Sequence, residues 1–414
     1  MIDKLKFPKE WDYRTIADLA ENSKELFDDG DWIEAEYLTD SGIRLVQTGN
    51  IGEGIFKAKD KKKYISEKSF KLLKCKELNV GDILICRLAD PAGRACILPD
   101  INEDKIITSV DVSIYRPNDD LVNRSFLVAS MTTSKWFNEV RVRCGGSTRT
   151  RIARSELGKI KIPLPPLPEQ RAIAKVLGSM DKAINANNQL IAQKELRKKW
   201  LMQNLLTGKK RLNGFGGEWK KIGAGELFKS FTRKGFENEE LLSATQDRGI
   251  IPRNQLEGRV TMPSTGIKGY KLVEPGDFII SLRSFQGGLE YSYHRGVVSP
   301  AYIVLKPKEE INDEFYKQYY KSYEFIGRLA TAVIGIRDGK QISYNDYCIV
   351  KIPHPSLEEQ TAIAQVLQAA DKELNLLKAK TDKLKEQKKG MMQVLLTGKK
   401  RLKLSKHNFK DLKG

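Results

Sequence analysis

One stretch of this chain occurs twice. Residues 161–212 run from KIPLPPLPEQRAIAKVL to LLTGKKRL, and residues 351–402 run from KIPHPSLEEQTAIAQVL to LLTGKKRL. The offset stays at 190 residues, so that Gln170 answers to Gln360 and Leu212 to Leu402. Half of the positions are identical without a gap, which chance does not give. Such a chain must fold as two similar units, and a pseudo-two-fold object suits a target that is itself bipartite.

The repeat continues weakly outside that stretch. FPKEW at residues 7–11 answers to FGGEW at residues 215–219, and NVGDIL at 79–84 resembles EPGDFI at 274–279. In each a Gly-Asp turn precedes an apolar, β-branched run, which reads as a buried strand over residues 83–86 and 278–281. Asp277 follows Asp82 by 195 residues rather than 190, so the globular segments carry insertions relative to each other. The fold expected is mixed α/β, of the α+β type. A strand-rich recognition domain spans residues 1–160 and a central helical region 161–212. A second strand-rich domain follows at 213–350, then a distal helical region at 351–402 and a basic tail at 403–414.

The helical regions carry a heptad seam. In the second, Ile363, Leu367, Ala370, Leu374, Leu377, Thr381, Leu384, Lys388, Met391 and Leu395 alternate by four and three residues. The first repeats the pattern in Ile173, Leu177, Met180, Ile184, Asn187, Ile191, Lys194, Lys198, Leu201 and Leu205. Ser356 followed by Glu359 is the signature of a capping box. Gly208 and Gly398 stand where a left-handed C-terminal cap belongs, with Lys-Lys-Arg beside the negative helix end. Each helix should run about 35 residues, or roughly 50 Å. Connectivity makes the pair antiparallel, with Ile173 opposite Leu395 and Asn187 opposite Thr381. That polar layer either fixes the register or is a solvated imperfection of the seam.

Charge narrows the partner. Lys plus Arg number 72 against 53 Asp plus Glu, a formal charge of +19. An excess of this size favours a polyanion, although a merely soluble basic protein has the same composition. The five cysteines form no CxxC pair and read as reduced thiols; three histidines make a histidine-rich metal site implausible. No secretory leader and no apolar run of about 18 residues occurs, so neither export nor a membrane span is expected, and the location expected is cytoplasmic.

Taken together, the [GP]xEW start, the Gly-Asp strand and the PLPEQxAIA helix ending in LLTGKKRL, twice in one chain, resemble the specificity (S) subunit of a type I restriction–modification enzyme. The resemblance covers nearly the whole chain and is carried by residues 162–177 and 205–212 with their counterparts after residue 351. It implies two target-recognition domains, each reading half of a split double-stranded DNA sequence. The paired helices would set the spacer and dock two modification subunits. Those subunits would carry S-adenosylmethionine and methylate adenine, and restriction (motor-nuclease) subunits would join them. No cofactor, metal or catalytic residue is expected in this chain. Two other readings remain, a self-contained DNA modification enzyme and a helical scaffold that binds only protein.

The residues agree with the first reading on their own terms. The Asp/Asn-Pro-Pro-aromatic box that holds an extruded base is missing, for Pro165-Pro166 sits at a helix entrance. No phosphate loop occurs, and the carboxylates at Asp100, Glu103 and Asp104 read as a polar loop rather than a nuclease site. Arginine and lysine read guanine edges; glutamine and asparagine read adenine. Candidates for DNA contact are therefore Arg87 and Arg94 around the turn after the first Gly-Asp strand, and Arg283 and Gln286 after the second. Gly287 and Gly288 there would let the backbone approach a phosphate. A second basic loop precedes each helical region: Arg149, Arg151 and Arg154 in one half, Arg337, Lys340 and Gln341 in the other. The alternative for any single one is a surface residue in an ion pair. Tyr291, Tyr293 and Tyr302 read as strand core.

Overall fold

The computed structural model describes residues 8–88, 91–146, 150–256, 267–282, 284–332 and 342–402. The chain divides into two compact units, residues 1–186 with 381–414 and residues 187–380. Each of the two long helices starts in one unit and ends in the other.

In the first unit a four-stranded sheet has the order Phe27–Asp29, Val112–Tyr115, Ile83–Cys86, Ala95–Ile97. All its pairings are antiparallel. The second unit repeats that order with Phe228–Phe231, Ile303–Pro307, Phe278–Ile280 and Glu290–Tyr291. The Gly-Asp turns anchor both sheets by one device. Gly81 and Gly276 have positive φ. The Asp82 carboxylate accepts the Asn79 amide at 2.9 Å, and Asp277 accepts the Glu274 amide at 2.8 Å. Both aspartates are buried, and each keeps a cationic partner, Arg116 at 2.7 Å and Lys306 at 3.2 Å. A two-stranded ribbon closes each unit, Asp12–Thr15 on Lys161–Leu164 and Lys220–Gly223 on Lys351–His354.

Where the units differ is in the second layer. The first unit adds a four-stranded sheet around Ile43–Val46, which runs parallel to Ile106–Thr108. The second unit has instead the hairpin of Leu242–Thr245 with Gly249–Pro252 and the pair Lys271–Val273 with Gly296–Val298. Its core is aromatic, with Phe228, Phe278, Phe315, Tyr316, Tyr319, Tyr320, Phe325 and Tyr347 fully buried.

The long helices are Leu167–Leu205 and Leu357–Leu395, 39 residues each. They are longer than expected, roughly 58 Å at 1.5 Å per residue. Every described seam position is buried or half-buried, including the polar Asn187 and Thr381. Within the first unit Ile173 and Leu177 share a core with Met391 and Leu395, and Lys388 reaches Asp181 at 2.6 Å. Within the second unit Leu201 and Leu205 share a core with Ile363 and Leu367, and Lys198 reaches Asp371 at 2.5 Å. Both sets of contacts fit antiparallel helices in the register expected from the seam. Among the described residues no helix is long and apolar enough to cross a membrane.

The best-kept motif is a clasp. Gly208 and Gly398 take φ of +72° and +68°, and the chain turns back through bonds from the Lys210 amide to the Asn204 carbonyl and from Lys400 to Val394. The turn carries Arg211 onto the buried Glu359 of the opposite helix, with bonds of 2.5 and 2.6 Å. Arg401 grips the buried Glu169 in the same bidentate way, at 2.6 Å twice. Paired charge-assisted bonds of this geometry are the strong class. The cap at Ser356 forms, its hydroxyl accepting the Glu359 amide at 3.4 Å. The reciprocal half does not, because the Glu359 carboxylate is taken by Arg211 and by the Trp219 indole N–H at 2.8 Å. Gln170 and Gln360 are buried beside these carboxylates. Each accepts the N-cap amide of a neighbouring helix, Asn123 or Asn312, at 2.8 Å.

Candidate nucleic-acid interface

The two basic loops singled out in the first half meet in the structure. Ile152 donates its amide to the Arg87 carbonyl at 3.0 Å, and Leu88 forms a bridge with Arg151. Gly145 and Arg151 exchange backbone bonds of 2.9 and 3.0 Å. These contacts shape a shallow groove of about 560 Å³ lined by Asp29, Arg87, Val110, Arg143, Gly145, Arg151 and Ala153.

The arginines of that groove have different jobs. Arg87 is 4% exposed. Its guanidinium lies 3.0 Å from the Asp29 carboxylate and donates to the Val110 carbonyl at 2.5 Å. Burial works against its charge, and Asp29 offsets part of that. Arg87, a candidate for DNA contact, is thus enclosed and bonded so that it supports the groove wall. Arg154 is also turned inward, donating to the Phe27 carbonyl and lying over the Phe27 ring at 5.7 Å. Arg94 is half-buried and donates to the Cys86 sulfur at 3.3 Å. Arg151 retains 40% of its side-chain surface while approaching Asp111 at 3.2 Å, and so faces solvent with part of its fork. Arg143, at the end of the helix Ser134–Arg143, joins it on the groove rim and pairs with Glu139 at 2.5 Å. Arg143 is not legible in the sequence as a site residue, because its helix is an ordinary amphipathic one and the Gly145–Arg151 bridge that follows it is non-local.

A second basic feature was also passed over. Residues 57–63, KAKDKKK, form an exposed segment with five lysines, the last of which opens the strand Lys63–Ile65. Lys62 is tied to Glu103 at 2.9 Å, and the same carboxylate accepts the Tyr64 hydroxyl at 3.0 Å. Glu103 thus belongs to a structural ion pair. A run of like charges in a short span was the available signal.

In the second unit Gln286 is exposed on the turn of helix Ser284–Gly287. Packing requires its two glycine neighbours. A Cβ on Gly288 would fall 1.8 Å from the Tyr320 carbonyl, and one on Gly287 would meet the Gln246 side chain. The glycines let the loop pack closely on its own unit, which accounts for glycine at both positions without a phosphate. Lys321 knots the region by donating to the carbonyls of Gln246 and Gly287 and to the buried Glu290 at 2.7 Å. Burial raises the Glu290 carboxyl above its ordinary range. Arg149, Arg283, Arg337, Lys340 and Gln341 lie outside the described residues, as does the tail 403–414. Tyr291 packs edge-on against Phe278 as expected, and Tyr302 is half-buried. Tyr293 does not belong to the core: it is 54% exposed and bonds Glu314 through its hydroxyl at 2.7 Å.

The chain is similar to proteins of one description. Residues 8–195 and 216–386 each match the family described as the type I restriction modification DNA specificity domain. The chain is 26% identical to a putative type I restriction enzyme specificity subunit, MjaX, of Methanocaldococcus jannaschii, over 96% of this chain and 95% of that one. Its fold is similar to the S subunit of a type I restriction–modification system from M. genitalium. There the TM-score is 0.56 at 15% identity, over 98% of this chain and 99% of that one. A chain solved for the complex assembly and conformational transition of a type I system gives a TM-score of 0.57 at 16% identity, over 94% and 98%.

Proposed function

Because this chain belongs to the type I restriction–modification DNA specificity subunits and carries their domain twice, we infer that its two units read the two halves of a split, asymmetric duplex target. The observation that carries this reading is the repeated sheet with unequal loops. Both units hold the same strand order behind the same Gly-Asp turn, and both differ in the layer and loops around it. A common scaffold with different reading loops recognises two different half-sites, while equal loops would read a palindrome.

The chain positions and does not catalyse. In the first unit the exposed parts of Arg151 and Arg143 supply cationic forks to a groove rim, suited to phosphate or guanine. In the second unit exposed Gln286 offers an amide, the group that pairs with adenine. Methyl transfer belongs to two modification subunits, which hold S-adenosylmethionine and reach an extruded adenine; motor-nuclease subunits complete the restriction enzyme in the cytoplasm. The two long helices set the gap between half-sites and carry the modification subunits.

The experiment uses the full chain, target-bearing duplex and labelled S-adenosylmethionine. The chain alone should bind duplex and transfer no methyl group; adding the modification subunit should start transfer to adenine. Methyl transfer by the purified chain alone would overturn the non-catalytic reading, and failure to bind duplex at low salt would overturn the DNA reading.

A further inference from the structure

The repeat supplies an internal control for its own surface. On the central helix Leu196 and Trp200 are 68% and 47% exposed. They stand one turn apart, four residues in sequence, and so form one patch. They lie on the face away from the seam residues Lys194, Lys198 and Leu201. Half-buried positions mark that seam, while Leu196 and Trp200 belong to the exposed set. The repeat puts Glu386 and Gly390 at these positions of the distal helix. Gly390 faces open space, with nothing within 4 Å of where a Cβ would stand. Packing therefore does not forbid a large side chain there, and packing does not require Leu196 or Trp200 either.

Leu190, at 37%, is also exposed on this helix, whose remaining exposed side chains are polar or small; a leucine and a tryptophan exposed four residues apart there are unfavourable in water unless something covers them. Tryptophan is among the residue types that anchor protein interfaces. The rim is cationic: Lys210 stands over the Trp200 ring at 4.8 Å, and Lys199 over the exposed Tyr323 ring at 5.0 Å. Exposed Arg197 adds to it, and the carboxylate of neighbouring Glu195 is paired with Lys378 at 2.7 Å. The complementary surface is an apolar stripe flanked by acidic side chains, the pattern of an amphipathic acidic helix.

We propose that Leu196 and Trp200 form an anchor for an acidic, amphipathic helix of one modification subunit, and that the two halves of this chain therefore hold their modification subunits unequally. The proposal rests on the reading that the long helices carry those subunits. The unit containing Leu196 and Trp200 takes the first copy tightly. The positions of Glu386 and Gly390 offer the second copy a charged, shallow surface and hold it weakly. Assembly is then stepwise, passing through a complex with one modification subunit.

The test is a titration of the full chain with the modification subunit of the same system, read by native mass spectrometry and calorimetry. Unmodified chain should show a tight and a weak site. Leu196→Glu with Trp200→Glu should weaken the tight site by about thirty-fold or more, the effect of losing an interface anchor, with melting unchanged. The reverse exchange, Glu386→Leu with Gly390→Trp, should tighten the weak site. Two equal sites that neither variant moves would overturn the proposal and leave the docking reading standing. No complex at all with unmodified chain would overturn both. Loss of duplex binding with unchanged subunit binding would make the patch a nucleic-acid platform and also overturn the proposal.

Discussion

Arg87 and Arg151 show how differently two arginines of one groove can behave. Arg87 is enclosed, and truncation would remove a partner of the Val110 carbonyl and the nearest cation of the half-buried Asp29. Arg87→Ala should lower the unfolding free energy by about 2–4 kcal/mol in a denaturant titration. Arg151→Ala should leave that titration unchanged and weaken duplex binding by about 1–3 kcal/mol with relaxed preference at one half-site. Equal affinity and equal preference would remove Arg151 as a contact. Both arginines were visible in the sequence as members of basic loops. Their separation into support and surface was not, because it depends on Asp29, far away in the chain. The cysteines were easier to read. Burial pushes the Cys75 thiol up to about 11 and Cys96 up to about 12. Neither forms appreciable thiolate near neutral pH, so iodoacetamide at pH 8 should modify them only after denaturation. Rapid modification of Cys96 in the native protein would contradict its burial.

At the scale of elements, periodicity decided what could be foreseen. The heptad spacing identified both long helices and their facing residues, since a seam is a local pattern. It does not cover the first six residues of each helix, Leu167 to Ala172 and Leu357 to Ala362, where caps rather than periodicity set the start. The Gly-Asp turns were legible as strand starts, and their aspartates turned out to anchor the turn itself. The clasp was not legible, because Arg211 and Glu359 lie 148 residues apart and Arg401 and Glu169 lie 232 apart. The lysine-lysine-arginine run looked like a complement to the helix dipole, whereas its arginine bridges to a carboxylate of the other helix. Arg211→Ala should therefore destabilise the second unit by roughly 3 kcal/mol, read from a melting curve. Arg401→Ala should do likewise in the first unit. If both variants melted like the parent, the motif would have no structural part in the fold. Gly208→Ala should cost about 1–2 kcal/mol for its left-handed backbone, and the new methyl would also press on the Trp219 ring.

For the whole molecule, the internal repeat and the charge of +19 together point to a two-part reader of a polyanion. Similar scaffolds with different second layers explain why one chain carries two related but unequal readers. The specific bases are not legible, since readout depends on loop conformation, and several candidate readers fall in loops. If the positive charge acts on DNA, affinity should drop steeply with salt. Neutralising six or more phosphates implies a loss of about a thousandfold between 50 and 200 mM. A shallow salt dependence would point away from backbone contacts. On this account the chain alone sets a split, asymmetric target for adenine methylation. The most direct measurement is single-molecule methylome sequencing of the host with and without the gene. The expected result is one motif of two different half-sites separated by a fixed gap, methylated only when the gene is present. A continuous motif, a palindromic one, or an unchanged methylome would contradict it.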